Sequence, residues 1–292
     1  MFKKLKLSRR ALSYTAYIIG ITVLFLYYLF PSDAIKGYVA YRLNQVNPEI
    51  DISIDHISPV IPPGIKLHDV GISQGNRALF DLESIKITPG LLSFFSNKKT
   101  ARFKGRVNAG SIQGWVEIDD RNDQHTEKIE GRISDVRVQG IPALKQLTPH
   151  NISGNLGGDF LITRTGTNGS MTGQLTLSEC RIVFDQPVIG QPSLGFKNVA
   201  ADLVLKRGNL VIKKCSARGN DLDADISGTI ALKRNNRQNA LNLKGSVTPH
   251  HGFLAKIENS IPADLLRQKT AGGKAVSFKI GGTVETPDFK LN

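Results

Sequence analysis

Along most of this chain apolar and polar residues alternate one for one, the period of a strand with one buried and one wet face. Val199, Ala201, Leu203 and Leu205 share a side, with Asp202 and Lys206 opposite. Ala224, Ile226, Ile230 and Leu232 stand against Asp223, Asp225, Ser227 and Thr229, and Leu241, Leu243 and Val247 against Asn242, Lys244 and Ser246. Within this alternation one five-residue figure recurs eight times: an apolar residue, any residue, glycine, any residue, another apolar residue. Its glycines are Gly105, Gly114, Gly131, Gly154, Gly173, Gly228, Gly245 and Gly282. Period two puts the glycine and both apolar residues on one face. The pattern predicts an apolar surface hollowed along its midline, a trough suited to a long apolar ligand. A single mid-strand glycine equally marks a bulge or sharp twist; the repetition points to an extended, stacked sheet.

The predicted elements follow from the same pattern. Ser32 is an N-cap for a short helix carrying Ile35, Tyr38, Val39, Leu43 and Val46 at helical spacing, closed by Asn47-Pro48. Its stripe packs as a lid over one end of the sheet, or lies on a bilayer surface. Asp51 to Ile57 reads as the first strand, followed by strands at 65–72 and 82–87. Gly90 to Phe95 is apolar but short, and is expected to form a local turn packed against the sheet. From Thr100 onward hairpins dominate, with a tight connection at Asn108-Ala-Gly110 and a polar loop at 120–124. A short helical connection is expected at 141–147, a second helical insertion at 250–269, and closing strands at Val276–Ile280 and Pro287–Leu291. The expected fold is mainly β: about a dozen antiparallel strands in an extended sheet with short helices.

The N-terminus changes the picture. Ala11 to Phe30 is a run of twenty residues without a charge, enough to cross a hydrocarbon core of about 30 Å as a helix. Lys3, Lys4, Lys6, Arg9 and Arg10 precede it, and no acidic residue occurs before Asp33. The positive-inside rule places residues 1–10 in the cytoplasm and everything after residue 31, including the domain over 50–292, outside. The run exceeds the h-region of a cleaved signal and lacks a small-x-small site after it, so the expectation is one uncleaved membrane anchor over 11–30.

Composition narrows function by exclusion. The net charge of +13 raises the question of nucleic acid, but the cations are scattered singly along strands with no interleaved stacking aromatics. Anionic lipid headgroups fit them better. Cys180 and Cys215 fall at opposite ends of strands two apart, too distant for a disulfide, and no Cys/His spacing suits a metal. His250-His251 is the one histidine pair, and Asp221-x-Asp223-x-Asp225 reads as a wet strand face rather than a calcium loop. No nucleophile motif, phosphate loop or cofactor signature is present, so no enzyme is expected.

Segment 56–73 (HISPVIPPGIKLHDVGIS), with the anchor and the glycine-centred strands, resembles the type II secretion system protein N family of deltaproteobacterial kind. Residues 207–230 and 278–289 are similar to the wider AsmA-like superfamily. The resemblance implies an inner-membrane anchor, a periplasmic β-sheet curled into a groove, and either an accessory role in protein secretion or phospholipid handling; it brings no catalytic or ligand residues. The first expectation is therefore a non-enzymatic scaffold whose partners are inner-membrane lipids and other secretion components. The second is a lipid-binding or phospholipid-transfer module, with an acyl chain along Ile226, Ile230, Leu241, Leu243, Val247, Phe278 and Ile280. About a dozen strands at 4.8 Å spacing give a groove of roughly 60 Å.

Overall fold

The computed structural model describes residues 9–46, 50–119, 125–147, 150–166, 168–188, 191–233, 238–253 and 275–291. Two helices, α1 (Arg9–Tyr28) and α2 (Ser32–Val46), lead into fourteen strands. The strands are β1 (Asp51–Val60), β2 (Gly64–Gln74), β3 (Arg77–Pro89), β4 (Lys98–Val107), β5 (Gly110–Asp119), β6 (Thr126–Arg137) and β7 (Asn151–Thr165). After them come β8 (Asn168–Val188), β9 (Gln191–Lys206), β10 (Asn209–Gly219), β11 (Leu222–Ala231), β12 (Ala240–Pro249), β13 (Val276–Gly282) and β14 (Pro287–Leu291). A short helix α3 (Pro142–Leu147) lies between β6 and β7. All fourteen strands form one antiparallel sheet in sequence order, and the sheet does not close on itself. The strict alternation read from the sequence is thus an up-and-down meander, with two strands more than the dozen expected.

Turn chemistry explains the tight connections. Asn108 and Ala109 both have positive φ (45° and 65°), which matches the right-handed twist of the flanking strands β4 and β5. Bulges then keep the apolar face continuous where strands bend. On β6 the register shifts between Ile133 and Val136, with Asp135 at φ 54°; on β8 Glu179 stands at φ 51° beside the shift in β7 between Ser153 and Asn155. Each extra residue reverses the parity, so Val136 and Cys180 return to the buried side.

Three groups of buried side chains sit on that side. The first joins Ile54, Ile57, Leu67, Val70 and Leu82, covered by Phe30 just before α2 and by Ile35 and Val39 on it. Lys36 donates to the Asp55 carbonyl (2.7 Å) and Asn44 Oδ1 accepts from the Ile52 N–H (2.8 Å). The helix therefore runs antiparallel to β1 and occupies its outer edge, as the lid reading expected; Tyr38, placed in the stripe, is exposed instead. The second group, Val107, Val136, Val138 and Ile141, is backed by Ala143 and Leu144 of α3. The third joins Cys180, Phe196, Leu222 and Ala224 to Phe253, just after β12. Beyond residues 251–253, which are helical, the insertion expected at 250–269 lies outside the described residues, as does the polar loop 120–124.

Among the described residues no helix is long and apolar enough to cross a membrane. Ala11, Ile19, Val23 and Leu26, part of the same run, have side chains outside that set. In α1, Leu12, Ile18, Leu24 and Phe25 are exposed. Lys3, Lys4 and Lys6 lie outside the described residues, and Arg10 is exposed on α1.

The turn at Gly90–Phe95 departs from expectation. It is a 3-10 turn, Leu91–Phe95, held by Ser93 Oγ donating to the Gly90 carbonyl (2.6 Å). Its described apolar side chains do not pack on the sheet: Leu91, Leu92 and Phe95 are 55%, 88% and 95% exposed. The Gly90 N–H, bonded to the Thr100 carbonyl (2.8 Å), closes the hairpin below the turn and leaves its apolar tip outside.

Candidate functional site: an apolar band across the sheet

The register carries apolar residues from strand to strand without a break. One row runs Pro59, Ile65, Ile87 and Phe103 across β1 to β4. It continues through Gly114, Gly131, Phe160, Gly173 and Leu203 on β5 to β9. Ile212, Gly228, Leu243, Ile280 and Phe289 complete it on β10 to β14. No polar side chain interrupts it. A second row, two residues further along each strand, runs from Ile57 through Ile85, Gly105, Ile112 and Ile133 to Cys215, Ile226, Gly245, Phe278 and Leu291. A third, from Ala101 through Val116, Ile129, Ile162, Met171 and Leu205 to Leu210, Ile230 and Leu241, flanks the first on the other side. The first row spans fourteen strands, roughly 60 Å, and from β4 to β12, where all three rows run together, the band is about 14 Å wide.

All seven residues expected to line an acyl groove lie in or beside this band, on adjoining strands. Ile226 faces Gly245, which faces Phe278; Ile230 faces Leu241; Leu243 faces Ile280; Val247 faces Val276. Six are half-buried, and Phe278 is buried with its ring stacked on Phe289 at 5.5 Å.

The hollow midline is not there. A methyl group on Gly131 would collide with the Phe160 ring, reaching Cε1 at 2.6 Å. On Gly114 it would meet Phe103 Cζ at 2.8 Å, on Gly245 Phe278 Cζ at 2.7 Å, and on Gly105 Ile112 Cγ2 at 3.0 Å. Each of these glycines is filled by the apolar side chain opposite, an aromatic ring in three cases. Gly154 and Gly228, at φ 144° and 142°, serve backbone conformation instead. Among the eight, Gly173 leaves room, with nothing nearer than 3.7 Å. The glycines also fall in different rows, so they do not make one trough.

The open hollow is on the other face. A volume of about 1350 Å³ lies open above β3 to β10, with Lys86, Arg102, Lys104, Trp115, Arg132 and Asp159 of the polar parity among its lining residues. Arg132 donates to Asp159 across the strands (2.7 Å) and holds that carboxyl below its usual range, while Lys128 sits 4.9 Å over the Trp115 ring. The expected groove of the apolar face is thus a filled band, and the concavity belongs to the wet face. Sequence alternation assigns residues to faces, but the shape of each face depends on long-range register and twist.

The remaining candidates are dispersed. Cys180 and Cys215 are free, with β9 between their strands and register partners Phe196 and Ala201 five residues apart; burial pushes both thiols up. His250 Nδ1 lies 2.9 Å from the Asn220 carbonyl and its Nε2 3.5 Å from Asp223. Asp225 accepts from Arg218 (2.9 Å), so the Asp221–Asp225 segment is a wet strand face laced by an ion pair. Among the described residues no three His, Cys, Asp or Glu side chains converge as metal ligands.

The two outer edges differ. That of β1 is occupied by α2, whereas every residue of β14 is exposed. Thr283 N–H donates to the Thr286 carbonyl (3.2 Å) at the β13–β14 turn. Antiparallel alternation then turns the backbone groups of Phe289 and Leu291 outward.

No protein-family model matches the chain, and no curated protein or solved structure is significantly similar to it.

Proposed function

We propose that this chain is a membrane-anchored, non-enzymatic periplasmic protein whose apolar band binds extended acyl chains, as a lipid-binding or phospholipid-transfer module of the AsmA-like kind. The observation that carries the reading is the row from Pro59 to Phe289, in which fourteen successive strands place no polar side chain. A sheet that only supported its neighbours would have no need of an unbroken apolar path along its full width. Each methylene laid on such a surface contributes up to about 0.8 kcal/mol. Ala11–Phe30 supplies the anchor in this reading, with Lys3, Lys4, Lys6, Arg9 and Arg10 on the cytoplasmic side.

The experiment is lipid analysis of the full chain purified in mild detergent. Co-purified phospholipid in near-stoichiometric amount is expected, and its loss in Ile230→Asp/Leu243→Asp with membrane insertion intact. A lipid-free wild-type protein overturns the reading.

A second reading rests on the β14 edge and on the likeness of residues 56–73 to the secretion family. As an accessory component of a type II secretion system, the chain would dock an extended partner segment on the outward groups of Phe289 and Leu291 by strand addition. Leu291→Pro removes one outward donor and is expected to weaken that docking; unchanged assembly with the secretion components contradicts it.

A further inference from the structure

We infer that the 3-10 turn Leu91–Phe95 is a second membrane contact, inserted into the headgroup region of the bilayer that holds the anchor; this rests on the anchored reading of 11–30. Among the described residues the turn is the most exposed apolar feature of the sheet domain, Leu92 and Phe95 standing almost fully in solvent. Its backbone is braced rather than loose. Ser93 Oγ accepts from the Thr100 N–H (3.1 Å) and donates to Gly90 O, and Lys99 Nζ donates to the Ser96 carbonyl (2.9 Å). A stable turn that holds bulky apolar side chains outward has the build of a contact surface.

Its place in the fold identifies the occupant. In the meander, the β1–β2 and β3–β4 connections lie at the same end of the strands, since Ile65 pairs with Ile87 and Pro89 with Ala101. Lys86 on β3 donates to the Ile61 carbonyl (3.1 Å), tying the two connections together, and Ile61 is itself 74% exposed. Helix α2 runs antiparallel to β1, so its start at Ser32, and the end of α1 just before it, lie toward this same end. The apolar tips are flanked by Lys86 and Lys99, while Lys98 beside them is paired with Glu117 (2.9 Å). An apolar knob with a cationic collar, beside the emerging anchor, matches an anionic phospholipid interface.

The test uses the full chain reconstituted into phosphatidylethanolamine–phosphatidylglycerol vesicles. Trp115 is the single tryptophan, so Phe95→Trp in a Trp115→Phe background reports on the turn alone. Blue-shifted emission from position 95 and loss of most of it to dibrominated lipids are expected, while Trp115 of the unsubstituted chain, on the polar face, keeps its emission. Water-like, unquenched emission from a chain that floats with the vesicles overturns the inference and leaves the anchor standing. Protection seen only in native membranes, and not in vesicles, also overturns it, because the turn then docks a protein. A chain that fails to float removes the anchored reading and this contact with it.

Discussion

The ring of Phe160 on β7 occupies the space that a side chain on Gly131 of β6 would need, with Cε1 2.6 Å from where a β-carbon would stand. Gly131→Ala must therefore displace the ring or the strand, and overpacking of this kind costs about 1–3 kcal/mol. Gly173, one strand beyond Phe160 in the same row, has ordinary contacts only and no positive φ. Gly173→Ala is expected to be neutral or stabilising by up to about 1 kcal/mol through the unfolded chain. Urea unfolding of both variants checks the contrast; equal effects would contradict the ring-over-glycine packing.

Gly228→Ala is expected to destabilise for a different reason. The residue sits at φ 142°, where L side chains are strained, and its β-carbon would press on the Asn242 carbonyl of the next strand. A loss of more than about 1 kcal/mol in the same unfolding measurement is predicted. A tolerated alanine there would mean that β11 and β12 are further apart.

Acid is expected to weaken the β1–β2 end. Burial, with Lys66 and His56 nearby, holds the His68 ring below its usual imidazole range, and Ser58 Oγ lies 3.1 Å from its Nε2. The unfolded chain then takes up the proton more readily than the folded one. This contribution is fully present above about pH 6.5 and is lost as pH falls through the folded value. Denaturation midpoints measured at about pH 7.5 and 5.5 should differ less in His68→Gln than in the unsubstituted protein.

Both cysteines are expected to titrate as thiols without reductant once the chain is unfolded, and to alkylate slowly while it is folded. Their separation by β9 precludes a bridge, and burial keeps them in the unreactive protonated form. Thiol counting with and without denaturant checks this; a chain with no free thiols after unfolding would contradict the register of β8 to β10.

Much of this fold was legible in local pattern. Alternation at 199–206, 223–232 and 241–247 located strands and their faces, and the Asn108-Ala-Gly110 turn was readable because two-residue hairpins demand positive φ. The glycine figure correctly marked one face. What it could not show is that Gly131 lies opposite Phe160, or Gly245 opposite Phe278, because cross-strand partners are set by register over the whole meander. The exposed tip at Leu92 and Phe95 was hidden for the same reason: a short apolar run looks alike whether it packs inward or is held outward by Ser93 and Lys99. The hollow above Trp115 and Arg132 arises from the twist of eight strands together, to which no single segment points.

Leu243 lies on the apolar band and Asn242, its neighbour in sequence, on the opposite face. A photo-reactive residue placed at each position in turn, irradiated in intact membranes and read by mass spectrometry, separates the two faces within one strand. Lipid adducts from position 243 and none from 242 are predicted; adducts from both alike, or from neither, would contradict an acyl chain lying along the apolar face.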